Sequence, residues 1–183
     1  MTEHAGRANQ FMIAFQEGSE EAFDQLYLSL KSPLYAFLFR FTKEEQLSID
    51  LVQDAFLKLH QSKASYDPKK AGVKTYLFQI AYHLMITKLN RRKKWQKLMP
   101  FLLPSSEGQM DQADKMTVRE AISSLPEAQR AVIILSYYHD MPQSEIAEVV
   151  GIPVGTVKSR LHHAIKTLKT VLEVDEIEQR KSQ

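Results

Sequence analysis

Three groups of residues in this 183-residue chain stand out by type and spacing, two of them suited to holding a polyanion. Tyr76, Gln79, His83, Thr87, Asn90 and Lys94 recur at steps of three and four, so on a helix they make one stripe, with Tyr82, Arg91, Arg92 and Lys93 beside it. Rings stack on unpaired bases, amides meet base edges and the cationic end holds the backbone, which is the combination that binds a single strand. A wet helix face with incidental tyrosines has the same composition. The second group is Gln143-Ser-Glu-Ile-Ala-Glu-Val-Val-Gly151-Ile-Pro-Val-Gly-Thr-Val-Lys158-Ser-Arg160-Leu161. A short helix, a glycine turn and a second helix with small, polar and basic early residues are the requirements of a DNA-reading helix-turn-helix. Thr156, Lys158, Ser159, Arg160, His162 and His163 are left for solvent or DNA. In the third group Asp50, Gln53, Asp54, Leu57 and Lys58 share one helix face, placing a large leucine among polar residues where water is expected. A single exposed leucine is ordinary.

Bond-making chemistry has no comparable support. There is no cysteine, hence no disulfide framework, thiolate metal site or thiol nucleophile. His4, His60, His83, His139, His162 and His163 do not pair with carboxylates at metal-ligand spacing, and adjacent His162 and His163 point to different sides of a helix. Gly155-Thr-Val-Lys158 lacks the Walker pattern, and no nucleophile and base are recognisable. No enzyme, cofactor or metal is expected. The longest aliphatic run, Ala131 to Leu135, is far too short to cross a bilayer, and residues 1–10 are polar, so a cytoplasmic protein without membrane insertion is expected.

The elements that must position these groups are helices. Phe23, Leu26, Tyr27, Leu30, Leu34, Phe37, Leu38 and Phe41 step by three and four along one helix that Pro33 kinks or splits. A second helix, Ser48 to Gln61, buries Ile49, Val52, Phe56 and Leu59. Ser65 to Gly72 is a turn, and a third helix runs from about Val73 to Trp95 with Leu77, Ile80, Ala81 and Leu84 inward. Residues 100–114 carry two prolines, a glycine and small polar residues, reading as an extended linker between residues 1–99 and 115–183. Beyond it come helices near Lys115 to Ser124, from Pro126 to Tyr138, and the pair Gln143 to Val150 and Val154 to Leu172. No strand pattern appears. The expected fold is all-α, two small helical domains of which the second ends in the helix-turn-helix.

Net charge is only +2, but it is unevenly spread. Residues 65–99 hold 9 basic and 1 acidic side chains, whereas residues 100–150 hold 3 and 8. The four basic residues of 151–170 face no acid there. One basic run is ordinarily a solvated face. Two, separated by an acidic stretch, suggest two contacts with one polyanion.

Leu125-Pro-Glu-Ala-Gln-Arg130, Glu145-Ile-Ala-Glu148 and Gly155-Thr-Val-Lys-Ser-Arg-Leu161 resemble the promoter-binding domain of bacterial extracytoplasmic-function (ECF) sigma factors. Asp50-Leu-Val-Gln-Asp-Ala-Phe-Leu-Lys-Leu59, Tyr66-Asp-Pro68 and Lys74-Thr-Tyr-Leu-Phe-Gln-Ile-Ala81 are similar to that family's polymerase-binding and promoter-melting region. The likeness spans roughly residues 20 to 172 in the family's order, which a lone helix-turn-helix would not. The resemblance implies that the first domain docks on core RNA polymerase through Asp50, Leu51, Gln53, Asp54 and Leu57. It implies capture of the opened minus-ten strand by Tyr66, Lys74, Tyr76, Gln79, His83, Thr87, Asn90, Arg91 and Arg92. The duplex at minus thirty-five would be read by Thr156, Lys158, Ser159, Arg160, His162 and His163, with the linker along the path of nascent RNA. Many members of the family are held by an anti-sigma protein that covers both DNA-binding domains. Several positions depart from the family's pattern: His83 stands where asparagine is common, Thr87 where aspartate is, Gln79 and His163 where arginine is, and Tyr76 where tryptophan is frequent. Pro142 stands where a serine often caps the first helix of the motif. A stand-alone repressor would use the second domain equally well, but it would leave the Leu57 face and the aromatic-basic helix without a task.

Overall fold

The computed structural model describes residues 2–98 and 117–181, with side chains for 6–96 and 117–172. The expected linker, residues 100–114, lies outside the described residues. The described elements are helices α1 (Thr2–Gln16), α2 (Glu20–Thr42), α3 (Glu45–Gln61), α4 (Val73–Leu98), α5 (Val118–Ser124), α6 (Glu127–His139), α7 (Gln143–Val150) and α8 (Val154–Lys181), with a 3-10 turn at Lys63–Ser65. Among the described residues there is no strand.

Local chemistry fixes most helix ends. Ser19 Oγ accepts the Ala22 N–H at 3.2 Å to start α2, and Glu20 and Glu21 complement the positive end of its dipole. The helix runs through Pro33 without a break, although proline cannot donate to the carbonyl four residues back. Leu30, Leu34, Phe37 and Leu38 are buried around it, so packing on both sides outweighs one lost hydrogen bond. Thr117 and Glu120 form a capping box at α5, and the Thr117 N–H and hydroxyl, both donating to Glu120 Oε2, hold the Glu120 carboxyl below the usual carboxylate range. Pro126 and Pro142 stand at the N-cap positions of α6 and α7 without a side-chain cap, each outside the first helical turn.

The first helix is an element the sequence reading left as a polar N-terminus. Ala8, Met12 and Phe15 return to one face at steps of four and three and are buried against α2 and α4. In α4 the buried residues are Val73, Thr75, Leu77, Phe78, Ala81, Tyr82 and Met85, an arc much wider than the expected stripe of Leu77, Ile80, Ala81 and Leu84. Ile80 and Leu84 are half-buried at its edge. The arc is wide because two bodies pack on α4: α1, α2 and α3 on one side and α7 on the other. A second seam joins α2 to α6. One hydrophobic cluster therefore runs from Ala8 in α1 through to Ala164 in α8.

Candidate nucleic-acid interface

On α3 the geometry follows from angular position. Asp50, Gln53, Asp54 and Leu57 fall within about 100° of one another on a helical wheel. Gln53 and Leu57 are exposed, Leu57 to 57%. The half-buried carboxylates carry light partners: Gln46 Nε2 donates to Asp50 Oδ1 at 2.8 Å, and Lys88 Nζ lies 3.0 Å from Asp54 Oδ2. Surface pairs of this kind contribute little and are easily exchanged for a partner's groups. Beside this face a groove of about 280 Å³ runs between α2 and α3, lined by Tyr27, Lys31, Ser32, Tyr35, Ile49, Val52 and Gln53. Leu51 does not belong to the face. It is fully buried, because its place one residue beyond Asp50 turns it inward, and it cannot touch a partner while the fold is intact.

The residues expected to bind the strand, together with Tyr82 beside them, divide into four groups. His83, Thr87, Asn90 and Arg91 are exposed on one side of α4, whereas Arg92, also exposed, lies on the opposite side with Nη1 paired with both Glu44 oxygens, at 2.6 and 2.8 Å. Tyr76 is half-buried with its hydroxyl 3.4 Å from Ser62 Oγ. Tyr66 and Tyr82 are corrections, since both are buried rather than presented to solvent. The Tyr66 ring leans on Tyr76 with 5.5 Å between centroids, its hydroxyl lies 3.5 Å from Asn9 Oδ1, and burial pushes its phenol pKa up. Tyr82 sits under the second half of the chain. Burial raises its phenol pKa, while the nearby Arg160 guanidinium pulls it down and Glu127 pushes it up. The remaining two, Lys74 and Gln79, are half-buried against the second half: Lys74 Nζ donates to the His139 carbonyl at 3.2 Å and Gln79 Nε2 to the Glu148 carbonyl at 2.9 Å.

Asn9 and Gln16 were missed by the sequence reading. Asn9 Oδ1 accepts the Val73 N–H at 2.8 Å, and Gln16 Nε2 donates to the Lys63 and Tyr66 carbonyls at 2.7 and 2.9 Å. Seven residues apart, they share a face of α1 and fix both ends of the turn that leads into α4. The steps from Ala8 to Met12 to Phe15 were the signal that could have revealed this helix.

In the second half, Gly151 has φ +73°, the left-handed conformation that ends α7, and its N–H and that of Ile152 both reach the Ala147 carbonyl, at 2.9 and 3.1 Å. This tight stop lets Ile146, Ala147 and Val150 meet Val157, Leu161 and Ala164 of α8 in a shared buried core. On the other side of α8, Lys158, Ser159, His162 and His163 are exposed, and Thr156 and Arg160 are half-buried. Thr156, Lys158, Ser159 and Arg160, four small or basic positions within the first two turns of the helix, are what a major groove admits. His162 and His163 present their rings at 84° to one another, so they cannot serve one contact together.

A helix-turn-helix unit joined to a helical bundle that carries an aromatic and basic helix defines a two-part promoter-recognition protein. Residues 26–95 match the family model for Sigma-70 region 2, and residues 115–168 match that for Sigma-70, region 4. The chain is 30% identical over 179 residues to the ECF RNA polymerase sigma factor RpoE of Cereibacter sphaeroides, covering 92% of this chain and 98% of that one. It is 28% identical to the ECF RNA polymerase sigma factor SigW of Bacillus subtilis over 86% of this chain and 92% of that protein. Among solved structures, the sigma factor RpoE from Bartonella quintana, crystallised with the anti-sigma factor NepR, superposes with a TM-score of 0.70 at 25% identity, over 84% of this chain and 98% of that one. CnrH, solved in complex with the cytosolic domain of CnrY, shares the fold with a TM-score of 0.71 at 24% identity, over 92% and 99% of the two chains. The chain belongs to the ECF RNA polymerase sigma factors. Its function is to direct RNA polymerase to promoters and so initiate transcription. Among the described residues no helix is long and apolar enough to cross a membrane.

Proposed function

We propose that three surfaces divide this task. The face of α3 carrying Asp50, Gln53, Asp54 and Leu57 docks on core RNA polymerase. The exposed side of α4 captures the opened minus-ten strand, with His83, Thr87 and Asn90 meeting bases and Arg91 meeting phosphate. The exposed side of α8 reads the minus-thirty-five duplex through Lys158, Ser159, Arg160 and His162. The functional division falls at residues 1–99 and 115–183, and the chain itself makes and breaks no bond. It acts in the cytoplasm, where the polymerase and promoters are, and an anti-sigma protein that engages both halves controls it. The co-crystal of the structural neighbour RpoE from Bartonella quintana with the anti-sigma factor NepR supports that last assignment.

The observation that carries the polymerase assignment is Leu57, exposed to 57% between two weakly paired carboxylates on the side of α3 that faces away from the core. An exposed aliphatic ringed by polar groups has the anatomy of an interface hot spot. Asp54→Ala with Leu57→Ala leaves every buried residue in place, so the double variant is expected to fold as the parent does and to lose about 2 kcal/mol or more of binding to core polymerase. Normal core binding by the folded double variant would refute the assignment. Run-off transcription with core polymerase on genomic fragments tests the whole reading.

A further inference from the structure

Four cations gather where the end of α2 meets α5 and α6, with little to balance them. Arg40 and Lys43 come from the last turn and the C-cap of α2, Arg119 from the first turn of α5 and Arg130 from α6. Arg40, Lys43 and Arg119 line a cavity of about 60 Å³ whose other walls are Ile122, Ile134 and Tyr138. The Tyr138 ring lies 4.5 Å from Arg40 Cζ and steadies that guanidinium at the cavity wall. Arg130 is tied down beside them, with Nη1 donating to the Phe41 carbonyl at 3.1 Å and Nη2 to the Leu125 carbonyl at 2.9 Å. Burial, and then the Arg119, Arg130 and Arg40 guanidiniums, hold the Lys43 ammonium below its usual pKa.

The ordinary reasons for placing cations do not account for this set. Among the described residues none of the four lies in a salt bridge. Two carboxylates come near, and both are engaged elsewhere. Glu120, beside Lys43, accepts the Thr117 N–H and hydroxyl at 2.7 and 3.0 Å, and Glu127, beside Arg130, pairs with Lys93 at 2.6 Å. The C-terminal end of α2 attracts Arg40 and Lys43, but a helix end carries only about half an elementary charge, and the first turn of α5 is where a dipole disfavours the Arg119 cation. Four full charges therefore face two occupied carboxylates and one helix end.

We propose that this cavity is a seat for a phosphate-type oxyanion, taken either free from solution or as the terminal phosphate of a nucleotide. Arg40 and Arg119 present planar forks of N–H donors that fit the oxygens of such an anion, Lys43 adds a third donor group, and Arg130 reinforces the field. The cavity has room for about two waters at about 30 Å³ each, the size class of a single tetrahedral oxyanion. Its isoleucine walls weaken solvent screening of the attraction. The seat goes beyond the promoter function and shares no residue with the surfaces assigned to polymerase, strand and duplex. Because α2, α5 and α6 all contribute to it, occupancy stabilises the folded chain by mass action.

Thermal unfolding of the full-length chain tests this in chloride and phosphate buffers matched in pH and ionic strength. Inorganic phosphate at about 10 mM should raise Tm by about 3 °C or more, the shift expected of a ligand held at about 1 mM. Pyrophosphate, with more charge for the same cations, should bind roughly tenfold more tightly in isothermal titration calorimetry. Lys43→Gln with Arg119→Gln changes two exposed side chains, so the variant should fold; it should unfold no earlier than the parent in chloride, since repulsion is relieved, and should lose the phosphate response. Lys166→Gln with Lys169→Gln, at two exposed positions of α8, makes the same change in net charge and should keep it. Phosphate is also excluded from protein surfaces and strengthens burial in general. An equal rise in Tm in all three chains would show that effect alone and would overturn the proposal, as would pyrophosphate binding that is absent from the parent or undiminished in the Lys43 and Arg119 variant. Tripolyphosphate and ATP without magnesium separate the two sources: tighter binding of ATP assigns the seat to a nucleotide, and equal or weaker binding assigns it to the phosphate group alone.

Discussion

His139 should make the seam between the two halves sensitive to acid. Burial against the stacked pair Phe37 and Phe78 disfavours its charged form, the Lys74 and Arg40 cations disfavour it further, and its pKa falls from 6.5 to about 4. Nε2 is buried without a hydrogen-bond partner, in keeping with a neutral ring. Since the folded chain binds this proton less well than the unfolded chain, the stabilisation is complete above pH about 6.5 and is lost as pH falls toward 4. The full difference corresponds to about 3 kcal/mol, of which about 2 kcal/mol is gone at pH about 5. Urea unfolding at pH about 8 and about 5 reads it directly. The control is His139→Phe, which fills the same apolar slot, removes the unpaired nitrogen and has nothing to titrate; His139→Leu repeats it with a smaller side chain. Carboxylates that titrate in the same range are common to all three chains and cancel in the comparison. Wild type should lose about 2 kcal/mol more than either variant on acidification. Parallel losses would show that His139 is not held neutral at the seam, and would refute the reasoning.

Single alanine variants at Lys158 and Arg160 should each weaken minus-thirty-five duplex binding by the polymerase-bound protein. The residue on phosphate does so evenly across sequences with a shallower salt dependence, and the residue on a base does so selectively. Salt titrations against a panel of duplexes check this, and unchanged affinity in both variants would remove α8 from duplex reading. His83→Asn should change which minus-ten base is preferred, because a neutral imidazole offers one donor and one acceptor in a geometry unlike that of an amide. His83→Ala should reduce promoter opening while core binding is unaltered. Permanganate footprinting on promoters varied at each minus-ten position decides, and unaltered preference and opening in both variants would leave His83 without a part in recognition.

Helix type and spacing were legible because they are local. The apolar steps of Leu26, Leu30, Leu34, Phe37, Leu38 and Phe41, the glycine at position 151 and the basic residues after it all act within a turn or two of the chain, and the structure has helices where those patterns place them. Three features depend on partners distant in sequence. Tyr66 and Tyr82 carry both a ring and a hydroxyl, so their types suit a base-stacking surface and a core equally; α1 in one case and the second half in the other decide for the core. Leu51 stands at the margin of an amphipathic helix, where one residue's rotation separates solvent from interior. His139 is an ordinary polar residue near a helix end until Phe37 and Phe78, each some 60 to 100 residues away in the chain, close around it.

The composition of α4 fits the proposal that one helix serves both a fold and a nucleic acid. Its Val73, Leu77 and Ala81 side is covered by the bundle, but Phe78 is covered also from the second half, through His139. Opening the seam therefore exposes aromatic surface as well as donors. Burying a phenylalanine side chain is worth roughly 1.5 to 3 kcal/mol, and leaving several such groups in water would disfavour the open chain strongly unless something replaces the lost cover. On the proposal that α4 holds the minus-ten strand, unstacked bases would offer such cover, since each has a π-face, at roughly 1 to 3 kcal/mol per base. A duplex hides those faces within its own stack. On that proposal, rings at this surface would favour the melted strand over the duplex.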